Sequence, residues 1–341
     1  MAEHRVGSAV DLLNDGEMKR IELEGKPVVI ARAEGSYYAF GGNCPHWGAP
    51  LNEGLLRGHE IMCPWHHTCF DVRTAVRLEP PAFNDLARFP VRLDGGEVLV
   101  TLPNDNERQP QGRRDPEDGR HFIVIGGGAV GNSAAEELRR SGYRGAITIL
   151  SSVDTPPIDR PNLSKDYMAG SSQPDWMPLR DQQWYADRDI DLRLKTIVTK
   201  IDPAAHTVTL ENGEALYYHR LLLATGGIPR DLTMLPGGDL ANILTLRSMA
   251  DADRIIERVK PDAQIVIIGS SFIGMEVASS LMKREKQLNV TVVDRVTLPF
   301  QNVLGNRLGK MFLDEHEANG VVFRLGEQIE QLLRQLLGLP R

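Results

Sequence analysis

Cys44-Pro45-His46 and Cys63-Pro64-Trp65-His66 each bring one thiolate and one imidazole together within a few residues. A Rieske [2Fe–2S] cluster needs that set, with two cysteines on one iron and two histidines on the other. Two loops meeting head-on would supply it. Gly41-Gly42 before the first loop, Gly48 after it, and Pro45 and Pro64 within them suit tight, stiff turns. A zinc ion accepts the same donors. Its common signatures keep like ligands together, C-x-x-C and then H-x-H, whereas here thiolate and imidazole alternate. The C-x-x-H spacing selects His66 over its neighbour His67, and His59 and His67 read as loop histidines.

Two glycine-rich loops form a second constellation. The first is Gly126-Gly127-Gly128-Ala129-Val130-Gly131. In a G-x-G-x-x-G loop the first glycine makes the turn, the second admits a pyrophosphate and the third lets the helix close on the strand. At the end of the next strand, where an acid would hold ribose hydroxyls, stand Ser151 and Ser152, with Asp154 beyond. The second loop is Gly269-Ser270-Ser271-Phe272-Ile273-Gly274, in which Ser271 replaces the middle glycine and crowds the phosphate. Asp294 follows at its strand end. A carboxylate there accepts from two ribose hydroxyls and repels a 2′-phosphate, which favours NADH, although Arg295 beside it leaves NADPH open. A parallel-sheet domain that binds no nucleotide is the plain alternative for either loop.

These residues need distinct scaffolds. Short apolar or alternating runs at 27–33, 37–40, 91–93 and 98–102 are separated by Gly, Asn and Asp turns, which predicts an all-β domain over residues 1–103. Residues 104–119 read as a linker, because 103–119 hold three prolines, eight charged residues and no aliphatic or aromatic side chain. The texture then becomes βαβ. Strands are expected at 122–125 and 146–150 with a helix at 132–140, and again at 264–268 and 290–294 with a helix at 272–283. The expected architecture is multidomain: an N-terminal all-β Rieske [2Fe–2S] domain followed by α/β FAD/NAD(P)-binding Rossmann-like domains. By the family resemblance that follows, residues 120–245 would be the first part of the FAD-binding domain and 246–341 an incomplete NAD(H)-binding domain.

Bulk composition narrows the classes. The chain has 341 residues, 41% of them apolar and 25% charged, with a net charge of −7 and no basic block, which argues against nucleic acid as a partner. No apolar run approaches the ~20 residues of a membrane span, and no signal-peptide pattern opens the chain, so no membrane insertion and a cytoplasmic location are expected. Three cysteines, two of them candidate ligands, leave no disulfide framework, in keeping with a reducing compartment.

Over about residues 8–325 the chain resembles the Rieske-containing, apoptosis-inducing-factor-like flavoprotein reductases, which are similar to the ferredoxin reductases of oxygenase systems. The resemblance rests on both Cys/His loops and on Gly126-Gly127-Gly128-Ala129-Val130-Gly131. It also rests on Asp159-Arg160-Pro161-Asn162-Leu163-Ser164-Lys165, on Leu223-Ala224-Thr225-Gly226-Gly227 and on Ile273-Gly274-Met275-Glu276. It implies a [2Fe–2S] cluster on Cys44, His46, Cys63 and His66. FAD would be held by Gly126, Gly128, Ala129, Gly131, Ser152, Arg160, Lys165, Val198, Ala224, Thr225 and Gly226. NADH would be held by Gly269, Ile273, Gly274, Glu276 and Asp294. Arg160 would meet the FAD pyrophosphate or ribose, the Val198 backbone the adenine, and Glu276 the nicotinamide amide. Lys165 near the flavin ring and Glu276 are the implied catalytic residues. High-potential Rieske domains carry an extra cysteine on each loop; here Ala49 and Trp65 stand in those places. The cluster potential is therefore expected low in the Rieske range, ~−150 mV. No cysteine follows Cys69, so a redox C-x-x-x-x-C is not available. His316 and Glu317 read as helix-surface residues.

The implied function is an NADH-dependent flavoprotein oxidoreductase that passes electrons through FAD to the Rieske cluster and on to an external acceptor, protein or small oxidant. The alternative is a Rieske electron carrier or redox-sensing module with an inactive reductase half. In the family the chain returns to complete the FAD domain after the NAD domain. Here a late strand at 321–324 is followed by 326–341, patterned as a short amphipathic helix, so a truncated product with two exposed sheet edges is expected.

Overall fold

The computed structural model describes residues 2–102 and 113–327. The chain divides into two compact units, Met1–Pro110 and Gln111–Arg341.

The first unit is built from antiparallel strands. Lys26–Ala33 sits inside a four-stranded sheet between Met18–Leu23 and Ser36–Gly41, with Arg88–Phe89 beyond. Val28, Val29, Ile30 and Ala31 are all fully buried, so this strand is covered on both faces. Side chains alternate along a strand. Val29, Ala31 and Ala33 therefore enter one core with Phe40, Leu51, Ile61 and Phe70, and Val28 and Ile30 enter a second with Leu13, Val100 and Leu102. Burying each such aliphatic side chain contributes about 1.5–3 kcal/mol. The first core also takes in Cys44 and Cys63, so the sulfur donors are anchored by the same packing that closes the sandwich. A second sheet pairs Ala2–Ser8 with Glu97–Leu102 and that strand with Val91–Asp94. The second Cys/His loop is the connection between Glu60–Met62 and Cys69–Asp71, neighbours in a small three-stranded sheet.

In the second unit His121–Ile125 lies between Ala146–Leu150 and Arg220–Leu223, with Ile190–Arg193 beyond, all parallel. Another parallel sheet runs Gln264–Ile268, Asn289–Asp294, Val322–Leu325. Parallel neighbours need crossovers, and the helices Ala129–Arg140 and Phe272–Arg284 supply them directly after the two glycine loops. Buried Arg139 donates to the carbonyl oxygens of Tyr143, Gly145, Arg188 and Asp189, tying the first helix to the chain that enters Ile190–Arg193. Val198–Asp202, Thr207–Leu210 and Ala215–Tyr217 form an antiparallel sheet against the first parallel one.

Four features differ from the sequence reading. The first helix begins at Ala129, not 132, because the glycine loop passes straight into it with Gly128 as its N-cap. Residues 113–119, read as linker, join the second unit: Asp115 N–H donates to Arg144 O at 2.8 Å, and the Asp115 carboxylate pairs with Arg144 at 3.2 Å. His316 is half-buried, and its ring bonds to the carbonyl oxygens of Phe312 and Met275. Apolar residues of 158–177, placed by sequence in the FAD-binding stretch, pack into the core of the second parallel sheet through Ile158, Leu163, Tyr167, Met168 and Met177. The late strand is Val322–Leu325, and the expected C-terminal helix lies outside the described residues.

Candidate active site

The two Cys/His loops share one construction. In the first, Cys44 N–H donates to Ala49 O at 2.8 Å and Gly48 N–H to Cys44 O at 2.9 Å. In the second, Cys63 N–H donates to Thr68 O at 2.8 Å and His67 N–H to Cys63 O at 3.2 Å. Both cysteines are buried at the loop bases, 1% exposed. The histidines face each other, Nδ1 to Nδ1 at 3.2 Å, with His66 exposed and His46 half-buried. Burial pushes the Cys44 thiol up to about 11; burial and then the neighbouring His66 push His46 down to about 4. A neutral imidazole such as His46, its Nδ1 turned toward His66, is the form a metal ligand needs.

The donors thus come as a sulfur pair and a nitrogen pair. A [2Fe–2S] cluster of the Rieske type takes two thiolates on one iron and two imidazoles on the other. Two irons, one per pair, fit the arrangement. His67 and His59 stand apart from it: His59 bonds Tyr38 and pairs with Glu34.

The first glycine loop closes against the A-T-G turn. Gly126 has φ +123, and a Cβ there would lie 2.1 Å from Ala224 O, so only glycine fits. A Cβ on Gly131 would lie 2.0 Å from Gly126 O, and one on Gly274 2.0 Å from Gly269 O, so each helix starts in backbone contact with its turn. Gly128 is open; its nearest neighbour is the Arg160 guanidinium, 3.8 Å from a Cβ built there. A Cβ on Gly226 would lie 3.4 Å from Arg247 and 3.9 Å from Arg160. Arg160 thus reaches both turns and Arg247 the A-T-G turn, and burial and the Arg247 charge lower the Arg160 pKa. Such a cationic cradle beside a helix N-terminus suits a pyrophosphate. Arg247 lies some twenty residues beyond the A-T-G turn with no local motif around it, and only the fold brings it here. Ala129 is exposed at the helix start, and Ala224 N–H continues the sheet by donating to Ile125 O at 2.8 Å. Ser152 is exposed and lines a cavity of about 270 Å³ with Asp154, Lys195 and Ser248. Val198 opens its strand and packs at the edge of the core beneath the first sheet.

The D-R-P-x-L-S-K segment and the second helix meet directly. Lys165 Nζ lies 3.0 Å from Glu276 Oε1, and Ser164 Oγ donates to Glu276 Oε2 at 2.6 Å. Ser280 Oγ in turn donates to Ser164 O at 2.8 Å. The sequence motif contained Ser164, but its carboxylate partner is distant in sequence. In the second loop Ser271 is exposed with φ −98, so its side chain strains no backbone. Ile273 is 58% exposed beside it.

The sequence matches the family described as pyridine nucleotide-disulphide oxidoreductase over residues 120–335 and the Rieske [2Fe-2S] domain over residues 3–90. The chain belongs to the pyridine nucleotide-disulphide oxidoreductase family and carries a Rieske domain at its front. Apoptosis-inducing factor 3 of Homo sapiens is 31% identical over 334 residues, 95% of this chain and 54% of that protein. The ferredoxin–NAD(+) reductase component of the biphenyl dioxygenase system of Paraburkholderia xenovorans (strain LB400) is 38% identical over 200 residues, 59% of this chain and 48% of that one. Among solved structures, the covalent putidaredoxin reductase–putidaredoxin complex matches with a TM-score of 0.59 at 33% identity, covering 63% of this chain and 51% of the other. The chain therefore spans about half the length of these relatives. The Rieske domain indicates a [2Fe–2S] cluster, and the reductase family binds FAD and NADH. No helix among the described residues is long and apolar enough to cross a membrane.

Proposed function

We propose that this protein is an NADH-dependent oxidoreductase that delivers electrons to its own Rieske centre and onward to an external acceptor. A flavin interconverts two-electron hydride and one-electron transfers, and the cluster accepts one electron at a time. The observation that carries the reading is the Lys165–Glu276 pair, which bridges the segment beside the first glycine loop to the helix that opens the second.

The roles of the chain's own groups follow. Arg160 and Arg247 would hold the diphosphate of FAD beside Gly128. Glu276, held by Ser164, would accept from a nicotinamide amide, and Lys165 would sit by the flavin. Asp294 would receive the ribose hydroxyls. Cys44 and Cys63 would hold one iron, and His46 and His66 the other. The exposed His66 edge would face the acceptor. An electron-carrier protein is the favoured acceptor, since relatives are named as ferredoxin reductases and one is seen joined to putidaredoxin. Three unpaired cysteines agree with a cytoplasmic setting.

The test is the visible spectrum of the purified protein under nitrogen, before and after NADH. Flavin and Rieske bands that both bleach support the reading. Rieske bands alone, unmoved by NADH, would replace it with an iron–sulfur carrier joined to an inactive reductase half.

A further inference from the structure

Ser270 occupies the second position of the second glycine loop and is only 1% exposed. Both of its donors serve one acceptor. Its N–H reaches Asp294 Oδ2 at 2.6 Å and its Oγ–H the same oxygen at 2.8 Å. The other carboxylate oxygen, Oδ1, lies 3.4 Å from Val296 N–H. We infer that Ser270 is a positioning residue that fixes the Asp294 carboxylate for recognition of the adenosine ribose, and thereby sets the preference for NADH over NADPH.

The inference rests on the proposed role of Asp294 and adds to it the group that orients it. A carboxylate turns freely about its last torsion unless something holds it. Two donors on Oδ2 fix the plane and leave Oδ1 with acceptor capacity for a hydroxyl. Burial alone would raise the Asp294 pKa, but the Ser270 donors and the N–H groups of Val296 and Arg295 outweigh it and keep it below the ordinary value. A charge held in this way attracts a diol and repels a 2′-phosphate.

The first loop shows what the pairing adds. Ile125 pairs with Leu150 as Ile268 pairs with Val293, so Gly127 and Ser151 correspond to Ser270 and Asp294. A Cβ on Gly127 would lie 2.3 Å from Ser151 Oγ, so that place has room for neither a serine nor a clamp. The two loops share a backbone plan and differ in this donor–carboxylate contact.

The experiment compares Kd for NADH and for NADPH by nicotinamide fluorescence titration, under nitrogen, of the cofactor-loaded protein reduced beforehand so that the nucleotide is bound and not oxidised, with melting temperature as the folding control. Asp294→Ala, Ser270→Ala and Ser270→Thr are the variants. Ser270→Ala keeps the backbone donor and is expected to weaken NADH about fivefold while changing NADPH less than about twofold, in line with the loss of one of the two donors that orient the carboxylate. Ser270→Thr retains the hydroxyl and should retain the ratio. If Asp294→Ala shifts the ratio and Ser270→Ala does not, the role of Ser270 is overturned. An equal loss for both nucleotides would also overturn it, because it would mark Ser270 as merely structural. If Asp294→Ala leaves the ratio unchanged, the assignment of Asp294 itself fails.

Discussion

Gly48 and His67 hold the same place in two turns of the same build. Each N–H donates back to the cysteine that opens its loop, Gly48 to Cys44 O and His67 to Cys63 O. Each has a left-handed backbone, φ 79 for Gly48 and φ 61 for His67. Glycine adopts that conformation without penalty, whereas another residue gives up about 1–2 kcal/mol. Gly48→Ala should therefore lower stability by about 1 kcal/mol. His67→Gly should change it by less than about 1 kcal/mol, since relief of strain is offset by the chain entropy glycine adds. The same pair of turns separates ligand from bystander. His66→Ala is expected to abolish the Rieske absorption and reduce bound iron, and His67→Ala to preserve both. Loss of the cluster in the His67 variant would move the ligand assignment by one residue.

How much of this was legible before folding depends on range. The cysteine and histidine loops and both glycine loops could be read because their chemistry is written in short spacings, and strands such as Ala146–Leu150 and Gln264–Ile268 fell where apolar runs put them. The contacts that give the site its geometry are long-range. Ser164 with Glu276, Ser270 with Asp294 and Arg160 with Arg247 each join segments distant in sequence. No periodicity reports such pairs. Sharing of one core by residues 158–177 and the second sheet was hidden for the same reason, because a helical or strand pattern names the buried face and not its partner.

The Lys165–Glu276 pair separates stability from function. Lys165 is half exposed and Glu276 about a quarter, so the ion pair is screened and worth less than about 1 kcal/mol. Glu276→Gln should leave the melting temperature nearly unchanged. It should slow NADH-driven flavin reduction about tenfold, through the loss of a charged acceptor for the nicotinamide amide and a displaced lysine. Anaerobic stopped-flow at the flavin band reads this directly. A large fall in melting temperature with an unaltered reduction rate would make the pair structural.

Arg160 lies beside Gly128 and Gly226 and Arg247 beside Gly226, and a bound dianion would relieve the repulsion between the two guanidiniums. Removing one should weaken FAD by about 1.5–3 kcal/mol, the range for a hydrogen bond to a charged group, or at least tenfold in Kd. Arg247→Ala is the sharper test, because sequence gave no reason to choose it. Flavin content after gel filtration should fall in the variant, with the gap from the parent widest at low salt and narrower at high salt as the lost charge is screened, while the Rieske bands remain. Undiminished flavin content would remove Arg247 from the phosphate cradle.

Each parallel sheet of the second unit has, among the described residues, an edge strand that carries exposed aliphatic side chains. Arg220–Leu223 ends its sheet with Leu222 38% and Leu223 60% exposed, and Gln264–Ile268 ends the other with Val266 and Ile268 each 44% exposed. Unpaired N–H and C=O groups flanked by aliphatic side chains are a template for strand addition. Where these edges stay uncovered, they should drive self-association as concentration rises. A lysine on an edge strand adds charge without touching the core. Leu223→Lys or Ile268→Lys is expected to shift light scattering toward the monomer, with the Rieske spectrum unaltered because the cluster loops belong to the first unit. Scattering that stays at the parental level in both variants would place the association surface elsewhere.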